Sequence, residues 1–132
     1  MATTRVYRKL DANSDQETLT AARTLTASDS GKTFLLPAAG KAITLPAATK
    51  GVYFKFICSV AATSNWTIIN GLDLIYGSAE VAGAVVACSA KDIITLVSAK
   101  FLPGDFVTLE SDGTNWYVAG SVVTTAGCTF TT

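Results

Sequence analysis

The sequence predicts an all-β protein: an antiparallel β-sandwich or jelly-roll-like domain over residues 24–132, preceded by an extended N-terminal arm over residues 1–23. Three observations lead there. Apolar and polar residues alternate at period two along short runs. In Val52-Tyr53-Phe54-Lys55-Phe56-Ile57-Cys58, for example, Val52, Phe54, Phe56 and Cys58 share one face and Lys55 lies on the other. Turn chemistry built on Gly, Pro, Asn and Asp separates nearly all of these runs, the pattern of a many-stranded β domain. The chain has 132 residues, enough for one core that buries about two-thirds of the surface an unfolded chain exposes.

Taken in order, residues 1–20 carry Arg5, Arg8, Lys9, Asp11, Asp15 and Glu17, with only Val6, Tyr7, Leu10 and Leu19 as large apolar anchors. That is too little to form a layer of a core. The segment reads as an arm lying on a neighbouring subunit, with Tyr7 and Leu10 docking into it and Arg5 and Arg8 meeting carboxylates. The Ser28-Asp29-Ser30-Gly31 turn then feeds a strand over residues 33–36. Gly31-Lys32-Thr33 has the ending of a phosphate-binding P-loop, but Thr26 stands where that loop needs glycine, and Pro37 halts a short strand where a helix would have to begin. A turn leaving for a strand is the expected role. Further strands are expected over residues 41–45, 51–58, 65–69, 72–76, 92–97, 105–110 and 116–122, with turns at 37–40, 46–51, Asn70-Gly71, Pro103-Gly104 and Asp112-Gly113. Residues 81–90 are ambiguous between strand and loop. Their alanines favour helix, but Gly83 and three valines oppose it.

Composition narrows the function classes. Ten Lys and Arg balance ten Asp and Glu, so no net field draws the protein to nucleic acid or to an anionic membrane. Only 15% of residues are charged and 49% are hydrophobic, against a usual charged share of about 25%. Part of such a neutral surface is expected to meet protein, and a homotrimer fits it. No apolar stretch follows the basic N-terminus as a secretion signal requires, and the uncharged, alanine-rich run of residues 81–90 is about half a membrane span. Cys58, Cys88 and Cys128 form no C-x-x-C motif and there is no histidine. No zinc site, metal or cofactor is therefore expected, and the thiols read as small buried hydrophobes of a chain made in a reducing cytosol.

Candidates for chemistry are few, and no enzyme is expected. Asp29, Asp73, Asp92, Asp105 and Asp112 flank turns or strand ends, where aspartate bonds its own backbone, and no pair stands out as a catalytic dyad. Ser111-Asp112-Gly113-Thr114-Asn115 lacks the later glutamate and the alternating oxygens of a calcium loop. Trp66 and Trp116 with Tyr53, Tyr76 and Tyr117 would make either a sugar-stacking platform or core and interface residues.

Four segments carry a resemblance. They are Leu25-Thr26-Ala27-Ser28-Asp29-Ser30-Gly31-Lys32-Thr33-Phe34, Ala42-Ile43-Thr44-Leu45-Pro46-Ala47, Tyr53-Phe54-Lys55-Phe56-Ile57, and Val107-Thr108-Leu109-Glu110-Ser111-Asp112-Gly113-Thr114-Asn115-Trp116-Tyr117-Val118. In this order and spacing they resemble a β-rich module of tailed-phage virion proteins, found in capsid decoration (cement) proteins, head fibres and tail-fibre segments, often as trimers. The resemblance covers most of residues 24–122. It implies a structural role without catalysis and does not separate decoration protein from fibre. Because the module stands nearly alone, with a short arm before it and about ten residues after it, the expectation is a small decoration protein, made in the host cytoplasm, that binds the major capsid protein on the outer surface of the phage head and stabilises it. Here the arm residues Arg5, Tyr7, Arg8 and Leu10 would grip the shell. The alternative it implies is a head-fibre or tail-fibre segment that binds host-surface carbohydrate.

Overall fold

A computed structural model of the chain describes residues 15–132. Twelve strands occur among the described residues: β1 (Gln16–Thr18), β2 (Arg23–Thr24), β3 (Thr33–Leu36), β4 (Ala42–Thr44), β5 (Tyr53–Cys58), β6 (Trp66–Ile69), β7 (Ile75–Val81), β8 (Ala84–Lys91), β9 (Ile93–Leu96), β10 (Phe106–Ser111), β11 (Trp116–Val122) and β12 (Cys128–Thr131). They form a seven-stranded sheet in the order β1-β3-β5-β10-β11-β7-β8 and a five-stranded sheet in the order β12-β9-β6-β4-β2. The two pack as a sandwich.

The sheets are mixed, which corrects the antiparallel or jelly-roll expectation. From β1 to β6 the chain alternates between the sheets, one strand in each. Strands two apart therefore become neighbours and run parallel: β1 with β3, β3 with β5, β2 with β4, and β4 with β6. A parallel pair needs a crossover connection, and here the crossover is itself a strand of the opposite sheet. Residues 16–69 thus wind as a short coil around the core. The turn signals at 37–40 and 46–51 are corners between sheets, not hairpin loops. Beyond the coil, β10 pairs antiparallel with both β5 and β11, and β7 runs parallel to β11.

The inward faces are apolar apart from Ser111 at the end of β10. On β5 the side chains of Phe54 and Phe56 are fully buried, with Cys58 and the preceding Val52 nearly so. Phe34 of β3 stacks on Phe56 at 5.5 Å between ring centroids, and Phe54 stacks on Trp116 of β11 at 5.8 Å. Trp66 is buried beneath the other sheet, and its indole N–H donates to the Pro37 carbonyl at 2.9 Å, which satisfies the one polar atom the ring brings inside.

Two further expectations change. Residues 16–19 of the segment expected to be an arm belong to the sandwich, because β1 joins the edge of the larger sheet and Leu19, 2% exposed, is part of the core. Its backbone N–H donates to the Leu35 carbonyl at 3.0 Å. Residues 81–90 resolve into strand, turn and strand. Ala82 and Gly83 take positive φ values of 52° and 80° between β7 and β8, the paired left-handed geometry of a two-residue hairpin turn whose twist matches the flanking strands. The strand expected over 72–76 begins only at Ile75, since Leu72 is exposed and Asp73 has a positive φ.

Candidate functional site

Lys32 settles the P-loop question. Its ammonium lies 3.1 Å from Glu17 and 3.2 Å from Asp29, and Arg23 bridges the same two carboxylates, at 3.0 Å from Asp29. Asp29 Oδ2 also accepts the Thr26 N–H at 3.0 Å, capping the single 3-10 turn Ala27–Asp29. Arg23 lies over the face of Phe34, 5.6 Å from the ring centroid. Two cations and two carboxylates thus lock β1, β2 and the turn before β3 together, and Lys32 already has its anions. Burial works against ionisation of Asp29, but the Thr26 N–H, Lys32 and Arg23 outweigh it and hold the pKa below its ordinary value.

The most sculpted surface lies on the outer face of the larger sheet. Tyr53 is paired with Glu110, Glu110 with Tyr117, and Tyr117 with Tyr76, so one row crosses β5, β10, β11 and β7. Their chain neighbours Phe54, Leu109, Trp116 and Ile75 point into the core, and alternation turns the row outward. Tyr53 is 37% and Tyr117 45% exposed; Glu110 is exposed and Tyr76 half-buried. At the β10–β11 turn, Asp112 Oδ1 accepts the N–H groups of Thr114 and Asn115 at 2.9 and 2.8 Å, while Oδ2 accepts the Tyr117 hydroxyl at 2.7 Å. These bonds, that from Asn115 first, bring the Asp112 pKa down to about 2, and the bond to Asp112 raises that of Tyr117. Lys50, Gly51, Glu110, Ser111, Asp112 and Tyr117 line an open notch of about 420 Å³ at this end of the sheet.

The five aromatics considered as a sugar platform therefore divide. Trp66 and Trp116 are core, 0% and 1% exposed, and only the three tyrosines share the outer face. Asp105 is buried and accepts the Leu102 and Val123 N–H groups at 2.9 and 3.3 Å. Asp73 and Asp92, unpaired by sequence spacing, meet through a hydrogen bond from the Asp73 N–H to Asp92 Oδ1. A side-chain hydrogen bond with the Asp92 carboxylate, and its charge, raise the pKa of the exposed Asp73. The arm residues Arg5, Tyr7, Arg8 and Leu10 lie outside the described residues. Among the described residues no three His, Cys, Asp or Glu side chains gather closely enough to hold a metal ion, and no helix is long and apolar enough to cross a membrane.

All three cysteines are buried free thiols. Burial raises the pKa of Cys58 and Cys88 to about 11 and that of Cys128 to about 12. At neutral pH each is a protonated, packed hydrophobe, whereas the thiolate is the nucleophile. A thiol reagent at pH 7.5 is expected to leave the native protein unmodified and to label all three positions after unfolding; rapid native labelling of any one would place it at the surface.

Comparison with protein-family models, with curated proteins and with solved structures finds no match for this chain.

Proposed function

We propose that this chain is a structural virion protein, a capsid decoration (cement) protein that binds the outer surface of a phage head as a homotrimer and stabilises the shell. The observation that carries the reading is the convergence of the resembling segments. Three of the four, separated in the sequence, supply β3, β5 and the β10–β11 hairpin, which are consecutive strands of one sheet. The fourth contains β4 of the facing sheet. The resembling segments lie together in one folded unit, which supports reading them as one module.

The surface suits the role. β8 closes one edge of the larger sheet, uncharged from Ala84 to Ala90, with Val85 76% exposed. An edge strand with a long uncharged, proline-free stretch offers unpaired backbone groups to another chain, and a weakly charged surface suits broad contacts with a shell. No reaction is needed for such a role, because the binding energy is the function.

The test mixes the purified protein with heads lacking it and measures occupancy, with sedimentation of the free protein in parallel. Saturable occupancy and a species three times the 13.7 kDa chain mass are expected. Failure to bind heads overturns the decoration role, and a monomer at micromolar concentration overturns the trimer. Deleting residues 1–14 is expected to lower occupancy by removing Arg5, Tyr7, Arg8 and Leu10, since interface energy concentrates in a few anchors and a trimer multiplies each loss. Unchanged occupancy would place the grip on the sandwich.

A further inference from the structure

We propose that the tyrosine row and the notch beside it form a binding site for a neutral sugar. A pyranose presents two surfaces: an apolar face of C–H groups and a rim of hydroxyls that both donate and accept. A protein that binds it needs an exposed aromatic face for the first and fixed polar groups for the second.

The outer face supplies both. Tyr117 and Tyr76 sit directly opposite on neighbouring strands, about 4.8 Å apart in the pairing direction. Tyr53 lies two strands beyond Tyr117 with Glu110 between them, about 10 Å away, so the Glu110 carboxylate stands between two exposed rings. The ring of Tyr117 is held in place, because its hydroxyl is bonded to Asp112, which the Thr114 and Asn115 N–H groups fix in turn. A ring that loses little freedom on binding contributes more of its contact energy.

The polar side of the notch is Glu110 and Lys50. Neither side chain has a hydrogen-bond or ion-pair partner among the described residues, so the Glu110 carboxylate is open to a hydroxyl pair and the Lys50 ammonium to a ring or hydroxyl oxygen. Two carboxylates against one ammonium disfavour an acidic sugar and leave a neutral one. The notch of about 420 Å³ lies within the size range of small-ligand sites. Asp112 stays ionised far into acid, so the Tyr117 anchor is independent of pH over the ordinary range.

The test titrates the full chain with D-glucose, D-galactose, D-mannose and N-acetyl-D-glucosamine at millimolar concentrations, followed by backbone amide NMR. Saturable shifts confined to residues 50–53, Tyr76 and residues 110–117 are expected for at least one sugar. Tyr117→Ala and Glu110→Gln should each weaken that binding about tenfold, Tyr117→Phe should retain most of it because the ring remains, and Val85→Ser on β8 should leave it unchanged. Absence of saturable shifts with all four sugars overturns the site, as does binding that survives Tyr117→Ala in a folded variant. Head occupancy does not enter this readout, so failure here leaves the decoration role standing, and failure there leaves the sugar site standing.

Discussion

Replacing Phe54 by alanine is expected to lower the unfolding free energy by about 3–5 kcal/mol, the range for removing a large aromatic from a core that cannot collapse to fill the gap. Phe54 is fully buried in the middle of β5 and lies 6.2 Å from the Phe34 ring, 6.3 Å from Phe56 and 5.8 Å from Trp116. Those rings come from β3, β5 and β11, so one cavity would loosen three strands of the larger sheet together. Denaturant titration of wild type, Phe54→Leu and Phe54→Ala should give a graded loss with nearly constant m-value. A loss under about 1 kcal/mol for alanine would mean that the ring cluster is not the centre of the core. The outer neighbour Tyr53 sets the contrast: Tyr53→Ala should change stability by well under half as much.

What the sequence revealed and what it hid follow from the range of the forces involved. Strands β3 and β11 were legible residue for residue, because Phe34 and Leu36 alternate inward between a glycine turn and a proline, and Trp116, Val118 and Val122 do so after Asp112-Gly113. The inward face of β5 was legible for the same reason. The short strands were not. Gln16-Glu17-Thr18 carries no apolar period at all, and β1 exists because its backbone pairs with β3, while Leu19 just beyond it drops into the core. The parallel winding was invisible too. Pro46 to Gly51 looks the same whether the chain reverses within one sheet or crosses to the other, and only the partners decide.

The candidate site divided along the same line. That Asp112 would bond its own turn was readable from local chemistry, and three backbone and side-chain donors do meet it. The division of the aromatics between core and surface needed burial, and the tyrosine row needed register. Tyr53, Tyr117 and Tyr76 stand far apart in the chain, and only the pairing of β5, β10, β11 and β7 sets them in line. Lys32 shows the reverse case. Its motif was visible and misleading, and the carboxylate that occupies it, Glu17, lay in a segment that looked like a free arm.

Removing residues 1–22 is accordingly expected to cost far more stability than removing residues 1–14. The shorter truncation keeps every strand, ion pair and core contact described above, and its melting temperature should match that of the full chain. The longer one deletes β1, leaves β3 as a bare edge, takes Glu17 from Arg23 and Lys32, and removes Leu19 from the core. The Leu19 cavity alone would cost about 2–5 kcal/mol, and the melting temperature should fall by roughly 10 °C or more. Acid adds a second signature. The folded-state pKa values of Glu17 and Asp29 lie below their ordinary ones: burial alone would raise both, but Lys32 and Arg23 beside Glu17, and Thr26, Lys32 and Arg23 beside Asp29, prevail. Carboxylates lowered in this way stabilise the fold fully above the unfolded carboxylate pKa near 4, and that stability is lost as pH falls through the folded values. The full chain should therefore lose more stability between pH 6 and pH 2 than the chain lacking residues 1–22, which has already lost the Glu17 share. Equal melting temperatures for the two truncations would return residues 15–22 to the arm and leave the sandwich to begin at residue 23.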